Sequence, residues 1–163
     1  MNRTLALIVA ALVGLASPAE AQGLIMVRDV SYDMALVMAQ TAIEHCRSNG
    51  YKVGVSVVDR GGHVLVTLRD HNAAHHTVEL AQRKAYTSRI FRQSSREFSQ
   101  RLRDNPISAG LGTTSGVLAS VGGFPIKVGD EVIGGIGVSG APGGQNDEAC
   151  AKAGLDKVAD QLK

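Results

Sequence analysis

The sequence predicts an α+β fold, a single domain with an antiparallel sheet of about five strands flanked by helices. Three observations carry this. Apolar residues recur at helical spacing in three long stretches, and short alternating runs lie between them, set apart by Gly-containing turns. The order is helix, two strands, helix, three strands, helix, so hairpins dominate and the sheet should be largely antiparallel. With 163 residues, 44% hydrophobic and 20% charged, the chain has material for one core and little for a second domain.

The first helix is predicted from Ser31 to Asn49. Ser31 can cap it, Asp33 suits its positive end, and Gly50 stops it. Ala35, Met38, Ala39, Ala42 and Cys46 form its apolar stripe. Residues 52–59 place Val at every other position, turn at Gly61-Gly62 and return through 63–69 as a hairpin. A second helix runs from about Ala73 to Phe91, and Ser95 to Arg103 adds a further turn or two. After the glycines at 110, 112 and 116, three strands are expected at 118–121, 124–128 and 131–139, the last two joined through Gly129-Asp130. The closing helix spans Asp147 to Leu162.

Residues 1–21 read as an address rather than as fold. Arg3 is followed by the apolar run Leu5–Leu15, a break at Ser17-Pro18 and the small-x-small pattern Ala19-Glu20-Ala21. Cleavage is predicted after Ala21, leaving a domain of residues 22–163 in the periplasm or outside the cell, with no later stretch able to span a membrane. Cys46 and Cys150 are the two cysteines, and in an oxidising compartment they are expected to pair and tie the first helix to the last.

Net charge is +2, which disfavours disorder, and the absence of Trp with three Tyr and three Phe disfavours an aromatic single-strand nucleic-acid platform. Seven Lys/Arg fall between Arg83 and Arg103, but export argues against a nucleic-acid partner and a solvated face accounts for most of them. Gly135 opens a literal G-x-G-x-x-G, but it lies in a strand pattern with Pro142 after it, so no dinucleotide fold follows. Ser139 lacks a nucleophile elbow. His71, His75 and Glu79 share a spacing that a divalent metal can use, without an enclosed further ligand.

The stretch 74–91 holds the candidate site. At about 100° per residue, Thr77, Leu80, Ala81, Ala85 and Ser88 share one face, with Lys84 in its middle. An ammonium aimed at a core must reach an anion or snorkel out. Two readings stay open: Lys84 meets an anionic ligand in a groove between helix and Gly-rich sheet, or it pairs with a buried acid such as Asp59. His76 lies at the edge of that face, while Arg69 and Arg83 can bridge to carboxylates. An enzyme acting on a small anionic metabolite, with Lys84 and His76 as acid and base, is a rival reading; an inert structural protein is another.

Taken together, residues 53–65 (VGVSVVDRGGHVL), 76–95, 122–144 and 147–155 resemble the GlcG/HbpS family, whose domain also forms the C-terminal part of PduO-type proteins. The resemblance covers essentially the whole chain after residue 21. It implies an antiparallel sheet flanked by helices, a homo-oligomer, and binding of haem or, alternatively, a corrinoid. For exported members it implies haem scavenging, sensing or slow degradation, and binding more firmly than catalysis. The carried-over pocket residues are His76, Thr77, Arg83 and Lys84, with Arg69 beside them. His76 is the first choice for iron; His71 is the second, since His71-Asn72-Ala73 stands where many members have an Asp-Gly-Ala-like turn.

Overall fold

The structure is a computed structural model that describes residues 23–163; the signal peptide expected at 1–21 lies outside the described residues. Helix α1 (Tyr32–Ser48) starts where predicted, with the Ser31 hydroxyl accepting the Met34 N–H. Strands β1 (Gly54–Val58) and β2 (Val64–Arg69) form the first hairpin. Helix α2 (His76–Phe91) ends at Arg92 in the left-handed region. Helix α3 (Ser95–Asp104) is a separate helix, opened by a reciprocal cap between Ser94 and Glu97. A 3-10 segment (Pro106–Thr113) precedes the hairpin of β3 (Gly123–Val128) and β4 (Glu131–Ser139). Helix α4 (Gly144–Lys157) and a short 3-10 turn (Ala159–Gln161) close the chain.

The sheet has four antiparallel strands among the described residues, in the order β2-β1-β4-β3. The expected strand at 118–121 is not one of them. Its backbone is claimed by α2 instead: the Leu118 N–H donates to Thr87 Oγ1 at 2.9 Å, and the Arg83 guanidinium donates to the Val117 carbonyl at 2.8 Å. The chain reaches the sheet only at Gly122, whose carbonyl accepts the Val138 N–H.

Strand register assigns the two faces. Val55 pairs with Val138 and Val57 with Ile136, and these four join Met38, Cys46, Cys150 and Ala151 in the apolar core under α1 and α4. Cys46 and Cys150 form a disulfide across a separation of 104 residues, joining α1 to α4 as expected. Closing so long a loop in the unfolded chain carries an entropic stabilisation of about 4–5 kcal/mol in the chain-entropy picture.

The opposite face pairs Gly54 with Ser139, Ser56 with Gly137 and Val58 with Gly135, and α2 covers it. Here each of the three pairs contains a glycine, so half of these positions carry no side chain. A Cβ on Gly54 would stand 2.9 Å from the Thr77 carbonyl oxygen. Cβ atoms on Gly123, Gly135 and Gly137 would run into the carbonyl oxygens of Lys84, Ala85 and Ala81. With Ala81 and Ala85 fully buried, helix backbone rests directly on strand backbone. The groove expected between α2 and the Gly-rich sheet is therefore closed, and the contact leaves no room for a flat molecule.

The turn from β2 into α2 is tied to the end of α1. Buried Asp70 accepts from Arg47 Nη2 at 3.0 Å and from the His71 N–H at 2.6 Å, while its own N–H donates to the Val53 carbonyl. This holds Asn72 at φ 62, in the left-handed region.

Two outcomes follow from this packing. Gly137→Ala inserts a methyl group against the Ala81 carbonyl and should cost about 3 kcal/mol in denaturant unfolding. The Arg47 partnership holds the Asp70 carboxyl below its usual value, so its contribution is full above the ordinary Asp value, about pH 4, and is lost as pH falls through the lowered one. Asp70→Asn should be less stable than wild type at neutral pH, and the gap should close in unfolding curves taken at progressively more acid pH.

Candidate functional site

Helix α2 presents two chemically different faces. On the inner one, Lys84 is only 3% exposed. Its Nζ donates to Asp147 Oδ2 and to the Val138 carbonyl, each at 2.9 Å. Asp147 sits in the first turn of α4, and its other oxygen accepts the Ala141 N–H at 3.0 Å. Burial pushes the Asp147 carboxyl up, and the Lys84 ammonium pulls it back. Of the two readings of Lys84, the structure shows the buried pair, with Asp147 rather than Asp59 as the acid. Asp59 instead accepts the His63 N–H in the first hairpin. The ammonium thus clamps α2, β4 and α4 together and does not reach out to a ligand.

Thr77 is likewise buried, with its hydroxyl turned back onto the Ala74 carbonyl at 2.7 Å. The rival acid–base pairing fails on the same ground. His76 is exposed at the start of α2, while Lys84 is buried eight residues on, about 12 Å further along the axis and on another face. They cannot share one substrate atom.

The outer face is open. Beside it lies a hollow of about 320 Å³, lined by Gly62, Gln82, Arg83, Tyr86, Ser115 and Gly116. The half-buried Tyr86 ring is its wall. Gly62 and Gly116, at φ +87 and +78, lie against that ring, where a Cβ would come to 2.9 Å and 3.2 Å of it. Positive φ and close approach together make glycine the fitting residue at both positions. Arg83 donates from Nη2 to Val117 and faces Glu79 at 3.5 Å, yet its Nε–H is buried without a partner. An aromatic wall beside a guanidinium suits a planar ligand that carries carboxylates.

The remaining candidates frame the N-terminal end of this face. His71, on the turn, and His76, in the first turn of α2, are both exposed. Arg69 donates from Nη1 to the Ala73 carbonyl, on the same turn, and also borders a shallow hollow of about 200 Å³ beside Arg47 and Leu68. His71, His75 and Glu79 are all exposed, and among the described residues no group of three His, Cys, Asp or Glu is placed to hold a metal ion. Of the six candidates, the structure leaves His71, His76, Arg69 and Arg83 facing outward and buries Thr77 and Lys84. Sequence reasoning did not single out Tyr86, Gln82, Ser115 or the two glycines as a wall. The available signal was Tyr86, an aromatic three residues after Arg83 and thus on the same side of the helix.

The buried pair has a consequence for stability. Asp147→Ala strands the Lys84 ammonium and should cost about 3–5 kcal/mol, measured by denaturant unfolding. The double replacement Lys84→Met with Asp147→Leu removes both charges and should recover most of that loss.

Comparison with known proteins agrees with this architecture. The family model described as haem degrading protein HbpS-like matches residues 30–156. Protein GlcG of Escherichia coli strain K12 is 30% identical over 111 residues, 68% of this chain and 81% of its own. The crystal structure of HbpS superposes with a TM-score of 0.79 at 35% identity, covering 86% of this chain and 97% of that one. The crystal structure of a PduOC:heme complex has a TM-score of 0.69 at 25% identity, covering 78% and 94%. A four-stranded antiparallel sheet clasped by helices, carrying these segments in this order, belongs to the HbpS-like family, and this chain is a member of it.

Proposed function

We propose that the protein is an exported haem-binding protein, active in the periplasm or outside the cell, and that it holds the macrocycle on the outer face of α2. The observation that carries this is the hollow of about 320 Å³ in which the Tyr86 ring and the Arg83 side chain line the same wall. The residues fit the group: an aromatic wall for the porphyrin plane, a guanidinium for a propionate, and exposed imidazoles within the same helix and its leading turn. Family membership and the haem complex of the PduOC relative support the same ligand class.

His76 is the first choice to bind iron and His71 the second, with Arg83 and Arg69 opposite the propionates. Thr77 and Lys84 act indirectly, by fixing α2 on the sheet. A hollow of about 320 Å³ is at the lower end of the range for organic ligands, about 300–1,000 Å³. The hollow is open on one chain, and in the homo-oligomer that the family resemblance implies a second copy of the chain would complete the enclosure. The bound haem supplies the iron chemistry; the protein supplies binding, orientation and charge.

Haemin titration of residues 22–163, followed by absorption spectroscopy, tests this. Saturation is expected, with the iron band shifted or lost in His76→Ala and the affinity lowered about tenfold in Arg83→Ala. Weak, unsaturable binding that is identical in both variants and wild type would overturn the assignment.

A further inference from the structure

We propose that a second hollow, between the α2–α3 turn and edge strand β3, is a binding site for a small carboxylate with a short apolar body. It is about 400 Å³ and is walled by Arg92, Ser94, Glu97, Phe124, Pro125 and Lys127. It is separate from the α2 hollow, with which it shares no lining residue.

The charges favour an anion. Arg92 has no hydrogen bond or ion pair among the described residues. Glu97, the one acid in the wall, accepts from both the N–H and the hydroxyl of Ser94 and stays an exposed carboxylate, so it offsets one of the two wall cations, Arg92 and Lys127, and leaves the hollow positive. Three residues before Arg92, Arg89 also lacks an acidic partner, and its Nε–H is buried without an acceptor. Burial lowers Arg89 first, and the guanidiniums of Arg60 and Arg92 lower it further, against a smaller opposing effect of Asp29 and Asp59. Arg89 does not line the hollow, but its charge lies near that of Arg92 and adds to the positive field there.

The backbone points the same way. Arg92 holds φ 56, a left-handed conformation in which glycine or asparagine is at ease and arginine is strained. Keeping arginine there aims a guanidinium at the hollow at a cost in stability. The opposite wall, Phe124 and Pro125, is apolar. Pro125 has no N–H to offer along the exposed edge of β3, which argues for a small molecule in preference to an added peptide strand.

The probe is 4-fluorobenzoate, followed by fluorine NMR on the protein of residues 22–163, with 4-fluorobenzyl alcohol as the uncharged analogue and acetate as the analogue without an apolar body. Saturable binding of 4-fluorobenzoate is expected, with both analogues weaker by about tenfold or more. Arg92→Gly should hold or raise the unfolding midpoint, because glycine accepts the left-handed backbone, and should weaken 4-fluorobenzoate about tenfold. Lys127→Gln, at an exposed strand position, should weaken it without altering stability. The proposal is overturned if wild type does not saturate, or if the alcohol binds as well as the acid. It is equally overturned if binding persists unchanged in Arg92→Gly and Lys127→Gln, which would move the acid to the hollow beside Tyr86.

Discussion

The contact of α2 with the sheet is backbone on backbone, and the rest of the structure is arranged around it. Five glycines, at 54, 122, 123, 135 and 137, remove side chains from places where α2, its carbonyls or the Lys84–Asp147 pair must fit. Such a contact forgoes most of the apolar burial that a helix–sheet interface ordinarily supplies. The compensation lies on the other face, where Val55, Val57, Ile136, Val138 and Met38 build the core and a disulfide staples α1 to α4. The two faces of β4 therefore do different work: alternate residues fill the core, and the glycines between them admit a helix.

Close approach also decides which way α2 can turn its chemistry. With Ala81, Ala85 and Ser88 pressed to the strands, the Lys84 side chain is enclosed, and it meets an acid from α4 and a carbonyl from β4. A buried charge with two well-placed partners is a clamp, and breaking it is costly even where forming it gains little. The consequence for function is displacement. The side of the same helix that stays open carries Arg83 and Tyr86, which stand against the first hairpin and the loop at 115–116.

The fold class, the hairpins, the three long helices and the disulfide were legible because each leaves a local signature: period, turn chemistry, cysteine placement. The expectation of a strand at 118–121 failed because the backbone at 117–118 exchanges hydrogen bonds with the Arg83 and Thr87 side chains of α2, a tertiary choice that leaves no local mark. Lys84 was legible as an anomaly, but its partner was not, since Asp147 lies 63 residues away and periodicity says nothing about which acid a fold brings close. The same glycines that suggested a bare patch for a ligand also suit close packing, and residue type alone does not distinguish the two. The wall made by Tyr86 draws on three separate segments and becomes visible only when they meet.

The central claim is that the ligand face of α2 is the outer one. Zinc protoporphyrin, a diamagnetic stand-in for haem, permits intermolecular nuclear Overhauser effects to be read between porphyrin protons and the protein. Contacts from the porphyrin to the Tyr86 ring and to Gly62 and Gly116 are expected. Contacts to the methyl groups of Ala81 and Ala85 would place the macrocycle between helix and sheet and contradict this account.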